Sequence, residues 1–202
     1  MATSAAPHLF WITSRAAGTA ALLLSSLAVC MGLLMGGRLV KGRVFDLRVA
    51  HEALSLATMA AIVVHAASLL GDSYLHPSIA DVTVPFVGSY MTVYTSIGIV
   101  AGWSLIALGL SYHLRGRIGP QRWRKLHRFT ALAWILGLVH SLGEGTDAGT
   151  AWFLAMTGLV VVPALLLLAL RTMGAWSRSP RRRSAAARAV SQGLLQSEAQ
   201  GS

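Results

Sequence analysis

Charge is scarce in this sequence, and acid is scarcer still. Only 12% of the 202 residues are charged, with 7 Asp and Glu against 17 Lys and Arg; a soluble domain carries about twice that charged fraction. There is one cysteine, Cys30, set inside an apolar run, which excludes an intrachain disulfide and a zinc knuckle. No glycine-rich dinucleotide fingerprint occurs, and no polar segment is long enough to hold a flavin or nicotinamide domain. What the chain has in quantity is apolar side chain. Hydrophobic residues make up 54% and the mean hydropathy is +0.61, which is the composition of a membrane protein. The net charge of +10 does not point to nucleic acid, because the basic residues flank apolar runs instead of gathering in one patch. Membrane lipid is the expected contact.

Five apolar segments approach the ~20 residues that a spanning helix needs: about 16–36, 50–70, 92–114, 123–142 and 150–170. The expectation is an all-α bundle of five transmembrane helices, multi-pass in the cytoplasmic membrane. Gly and Ser among the Leu, Ala, Val and Ile permit close helix packing. Pro163 lies inside the fifth segment, where it either kinks the helix or is accommodated by packing. The first segment exceeds the roughly 7–15 apolar residues of a signal peptide, and no A-x-A site follows it. "LAVC" at Leu27 to Cys30 has the outline of a lipoprotein cleavage site. Val29 occupies the place of the small residue there, and the apolar run continues past the cysteine, so the segment reads as a helix.

Orientation follows from where the basic residues fall. Arg38, Lys41, Arg43 and Arg48 lie between the first two segments. Arg115, Arg117, Arg122, Arg124, Lys125 and Arg128 surround the third-to-fourth connection, and Arg171, Arg178, Arg181, Arg182, Arg183 and Arg188 follow the fifth segment. Only Arg15 stands apart from these three groups. The other two connections hold no Lys or Arg and carry Asp72, Asp81, Glu144 and Asp147. The alternation predicts an N-terminus outside and a C-terminus in the cytoplasm. Residues 1–15 form an extracytoplasmic segment, 16–171 the membrane bundle, and 172–202 a basic, disordered cytoplasmic tail. "RSPRRRSAAAR" in that tail reads as a topology anchor touching anionic lipid, with a docking site for a soluble partner as the alternative.

Seven histidines are present. His8, His76 and His113 belong to loops or interfaces. The other four form two pairs: His51 and His65, fourteen apart on the second segment, and His127 and His140, thirteen apart on the fourth. Both segments run from the cytoplasm outward. His51 and His127 therefore share an inner level, and His65 and His140 an outer level ~20 Å away. Ionisable groups inside a membrane are costly and mark functional sites. One imidazole from each of two helices at each level can clamp a flat macrocycle from both sides. That arrangement suits bis-histidine haem b, two per chain, with both axial positions filled and electron transfer favoured over ligand binding. The spacing is awkward on one helix. Fourteen residues bring His51 and His65 onto one face to within ~40°, whereas thirteen leave His127 and His140 about 140° apart on a straight helix. A π-bulge or laterally offset macrocycles would accommodate the difference.

At these residues the chain resembles the ferric reductase-like transmembrane domain family, which includes ferric reductases, NADPH oxidases and the haem-binding subunit of a periplasmic methionine sulfoxide reductase. His51/His65 and His127/His140 repeat the fourteen and thirteen spacings of the oxidases. "WRKLHR" (123–128) followed by His140 is similar to the corresponding helix of the bacterial subunit, and "GTAALLLSSLAVCMGLLMGGRLV" is similar to the helix before its first histidine helix. The resemblance implies an inner haem on His51 and His127 and an outer haem on His65 and His140. Electrons would pass from a cytoplasmic flavin to an outer acceptor. The chain departs from the family in having five apolar segments where six are usual, and in lacking the flavin and nicotinamide module. Its donor would then be a separate cytoplasmic flavoprotein reductase, a quinol or a loosely bound flavin. Its acceptor would be a ferric complex, oxygen or a periplasmic redox protein. The bacterial subunit has one histidine on its first haem helix, so His51 favours the two-haem arrangement.

Arg48, Arg124, Lys125 and Arg128 lie at the inner level, where they can meet haem propionates or simply anchor the topology. Tyr74, Ser89, Tyr90 and Thr92 can hydrogen-bond propionates at the outer level. Axial imidazoles usually donate their second N–H to a carbonyl or carboxylate; Glu52, adjacent to His51, points elsewhere on its helix. The rival readings are a non-enzymatic haem-anchor or relay subunit of a larger complex, and a metal transporter or sensor whose histidines bind the ion directly.

Overall fold

The computed structural model describes residues 6–36 and 44–174. Arg38, Lys41, Arg43 and the tail from 175 onward lie outside the described residues, and so do the expectations drawn on that tail. Among the described residues every regular element is helical. In order they are α1 (Ala6–Gly36), α2 (Val44–Leu69), the short α3 (Ile79–Thr83), α4 (Thr92–Leu110) running into a 3-10 turn (Ser111–Leu114), α5 (Arg115–Ile118), α6 (Pro120–His127), α7 (Thr130–Glu144) and α8 (Ala151–Thr172).

Four stretches are long and apolar enough to cross a membrane: His8–Gly36, Asp46–Leu69, Thr92–Ile118 and Ala151–Thr172. Their outward faces carry apolar side chains that water would penalise. Val63, Trp103, Leu159 and Leu166 are each more than half exposed. Apolar exposure on this scale marks a surface that lipid or protein covers.

The segment expected as one helix over 123–142 is broken. α6 ends at His127 and α7 begins at Thr130, so neither piece is long enough to span by itself. The break is a tightening of the chain. Phe129 N–H donates to Leu126 O at 3.0 Å and Ala131 N–H to Arg128 O at 3.3 Å, both three residues back, before Ala133 resumes the four-residue bond to Phe129 O. The Thr130 hydroxyl donates to the freed His127 carbonyl at 2.7 Å. Three-residue bonds wind the chain by ~120° per residue in place of ~100°. Each such residue adds ~20°, so the break recovers part of the ~140° by which thirteen residues fall short of whole turns. The π-bulge considered from the sequence would have wound the chain the other way, and none is present among the described residues.

α1 is the hub, packing against α2, α7 and α8, while α4 packs against α7 and α2. The shared core lies between α1, α7 and α8. Trp134 is 1% exposed and packs with Val161 and Ala164, flanked by Val29, Cys30, Ile135, Leu138 and Leu168. Its indole N–H donates to the buried Ser26 hydroxyl at 2.9 Å, and Ser26 in turn donates to Leu22 O at 2.6 Å. A buried indole without an acceptor would cost about 1–3 kcal/mol, so the serine fixes which way the tryptophan lies. Pro163 sits inside α8, which continues through it to Thr172.

α1 starts at Ala6, ten residues before the apolar segment read from the sequence, and thereby takes in Arg15. That residue is the basic side chain standing apart from the three basic groups. Its guanidinium pairs with the Asp147 carboxylate (Nε to Oδ2 3.1 Å) and stacks over the Trp11 ring at 4.1 Å. The pair ties α1 to the α7–α8 connection. The connection between α2 and α4 is held by a capping box on α3. Ser78 and Asp81 exchange side-chain-to-backbone bonds of 2.8 and 3.2 Å. These bonds hold the exposed Asp81 carboxyl below the usual carboxylate range.

Candidate functional site

The four histidines meet as two pairs. His51 on α2 and His127 at the end of α6 have ring centroids 6.2 Å apart, with planes at 87°. His65 on α2 and His140 on α7 have centroids 6.2 Å apart, with planes at 69°. Each pair takes one ring from each side of the α2–α7 space. The pairs are separated along α2 by fourteen residues, ~21 Å of helix.

Hydrogen bonding sets the tautomers. A carbonyl oxygen only accepts, so a ring nitrogen bound to one must carry the proton. His51 Nδ1 lies 2.9 Å from Ala28 O on α1. His65 Nδ1 lies 2.8 Å from Ser14 O on α1, with the Ser14 hydroxyl at 3.0 Å. His140 Nδ1 lies 3.0 Å from Tyr94 O on α4. In all three the proton sits on Nδ1, and Nε2 keeps its lone pair. That is the form in which a neutral imidazole ligates a metal, with the second nitrogen anchored to the protein.

His127 differs. Its buried Nδ1 has no hydrogen bond. The Leu108 carbonyl approaches the ring and also accepts the Ser111 hydroxyl at 2.6 Å. The ring is held instead by Trp123, one turn earlier on α6, which stacks on it at 5.0 Å and 22°. Trp123 is fixed by its indole N–H to the Ser111 hydroxyl (3.2 Å) and by an edge contact with Tyr112.

A carboxylate stands behind the His65–His140 pair. Glu144 Oε2 is 3.1 Å from His140 Nδ1, one helical turn on, and Glu144 Oε1 accepts the Thr95 hydroxyl at 3.0 Å. Carbonyls accept from three of the four imidazoles, and Glu144 adds a carboxylate at one of them. Glu52 is exposed. Glu144 and Trp123 were not legible as site residues from the sequence. Each stands four residues from a histidine, and that spacing was the available signal.

The remaining candidates are placed as follows. Arg48, Arg124, Lys125 and Arg128 are all exposed. Tyr74 is 90% exposed, Ser89 and Tyr90 are exposed, and the Thr92 hydroxyl donates to Gly88 O at 3.0 Å. His8, His76 and His113 are exposed. Among the described residues no group of three or more His, Cys, Asp or Glu gathers as an ion site. Compared with known proteins, the chain matches no family model, no curated protein and no solved structure.

Proposed function

We propose that this protein is a di-haem b cytochrome of the cell membrane that moves electrons between a cytoplasmic donor and an acceptor on the outer side. The observation that carries this reading is the pairing of four histidines at two levels with equal ring separations of 6.2 Å. Two metal–nitrogen bonds of about 2 Å, plus about 1.1 Å from each nitrogen to its ring centre, require about 6.2 Å between ring centres when one metal sits between two imidazoles. The Nδ1–H tautomers at His51, His65 and His140 support it too, since they leave Nε2 as the ligating nitrogen.

Haem b would supply a one-electron couple at each level. The chain's own part is to hold two neutral imidazoles per level, to fill both axial positions, and to keep water from the apolar span between. In this reading α6 and α7 together form a fifth crossing. The N-terminus lies outside and the C-terminus in the cytoplasm, as the basic connections favour. The resemblance to ferric reductase-like domains points the same way. A cytoplasmic flavoprotein or quinol is the donor, a loosely bound flavin is a further carrier, and a ferric complex, oxygen or a periplasmic redox protein is the acceptor.

The test is a dithionite-reduced minus oxidised spectrum of the purified protein with a pyridine haemochrome count. Two haems b per chain are expected, and a spectrum without b-type bands would end the reading. Ferric-chelate reduction by the reconstituted protein alone would mark it as a terminal reductase; reduction only with a partner present would mark it as a relay subunit.

A further inference from the structure

We infer that Gly18, Gly32 and Gly98 are positioning residues for the imidazoles, each sparing the Cβ that would cover the backbone carbonyl to which a histidine is anchored. The inference rests on the reading of those histidines as axial ligands. In an α-helix every Cα–Cβ bond tilts toward the N-terminus, so a side chain lies over the turn before its own Cα. The carbonyl of residue i is therefore covered by the side chain of residue i+4. The three carbonyls that hold the histidines belong to Ser14, Ala28 and Tyr94. The residues four positions later are Gly18, Gly32 and Gly98.

The clearances agree. A Cβ placed on Gly98 would lie 2.5 Å from His140 Nδ1, one on Gly18 would lie 3.0 Å from His65 Nδ1, and one on Gly32 would lie 3.4 Å from His51 Cε1. Gly18 and Gly32 are fourteen apart on α1, as His51 and His65 are on the antiparallel α2, so one helix register serves both levels. Glycine in a helix interior is unfavourable relative to alanine, which gives each of the three a cost that the anchored imidazole offsets. The fourth histidine obeys the same rule in the negative. The carbonyl that approaches His127 is that of Leu108, and the residue four positions later is Tyr112. There a Cβ is present and the imidazole Nδ1 is left unanchored.

The experiment compares Gly98→Ala, Gly18→Ala and Gly32→Ala with Gly102→Ala, whose new Cβ would meet Ile62 at 3.4 Å and no histidine. The readouts are haem stoichiometry, the low-spin b-type spectrum and the two midpoint potentials in full-length protein. Gly98→Ala is expected to lose one haem's worth of low-spin signal, the outer one. Gly18→Ala should weaken or shift that same signal. Gly32→Ala should shift the inner potential with both haems retained, and Gly102→Ala should match the parent. If Gly98→Ala and Gly18→Ala match Gly102→Ala in a parent that binds two haems, the inference is overturned and the haem reading stands. If the parent binds none, the haem reading fails. The anchoring is then read by ¹⁵N-histidine spectra of the same protein, where three Nδ1–H tautomers are expected and Gly98→Ala should remove the one at His140. Unchanged tautomers in Gly98→Ala would overturn the inference on that route. Should Gly98→Ala not fold, the ordering of Gly18→Ala above Gly32→Ala decides it.

Discussion

The two histidine pairs have the same ring separation and different supports. At the outer level both rings are tied through Nδ1 to carbonyls of neighbouring helices, and Glu144 adds a carboxylate behind His140. At the inner level only His51 is so tied. His127 ends a helix, carries an unbonded Nδ1, and is kept in place by a stacked tryptophan. A hydrogen bond fixes a ring's direction and its proton; a stack fixes its plane and leaves the proton free. The outer level is thus over-determined and electronically biased by a negative charge, whereas the inner level sits on a short helix rich in Arg and Lys and is the more easily perturbed.

The strongest break in this comparison comes from the histidines. On the proposed di-haem reading, His65→Ala or His140→Ala should remove the outer haem's absorbance and leave the inner, and His51→Ala or His127→Ala should do the reverse. Difference spectra with a potentiometric titration read this directly; loss of both signals from every single variant would dissolve the two-level picture.

Glu144→Gln keeps the shape and deletes the charge. A carboxylate near the axial imidazole raises its basicity and favours the oxidised iron, so the variant should raise the outer midpoint potential by up to about 59 mV, a tenfold change for a one-electron couple. The inner potential should stay still.

Trp123→Leu removes the stack together with the indole bond to Ser111 and the edge contact with Tyr112. It is expected to cost the inner site about 0.5–1.5 kcal/mol, seen as a lower haem affinity or a mixed-spin inner signal with the outer bands intact. Arg15→Gln tests whether the outer end depends on the bond between α1 and the α7–α8 connection. A partly exposed ion pair, with side chains 31% and 17% exposed, contributes about 1 kcal/mol, so a small drop in the unfolding temperature in detergent is expected, with the spectrum unchanged.

The smallest effect should come from the α3 cap. Asp81 has its folded pKa depressed by Ser78, so its contribution is present above the unfolded carboxylate range and is lost as pH falls through the folded value. Faster amide exchange at Val82 in acid, abolished as a difference by Ser78→Ala, would reveal it.

Much of this was legible in the residues themselves. Apolar length marked α1, α2, α4 and α8, because burying a backbone in hydrocarbon requires helices. The fourteen-residue step of His51 and His65 announced a shared face. The step of thirteen announced a problem without its solution, since the tightening at Arg128 and Phe129 depends on local three-residue bonds that no periodicity encodes. Glu144 and Trp123 were one turn from a histidine and indistinguishable from ordinary loop and interface residues until α4 packed against α7.

By itself the sequence determined an all-helical architecture, the spacing of its histidines along the helices and the clustering of its basic residues in alternate connections, because helical rise and loop composition are local properties. Which histidine faces which, where each imidazole keeps its proton, and why three glycines stand where they do were decided only when α1 and α4 brought their carbonyls against the histidine helices. Those facts depend on hydrogen bonds between residues 23, 46 and 51 positions apart, and a one-dimensional pattern does not specify them.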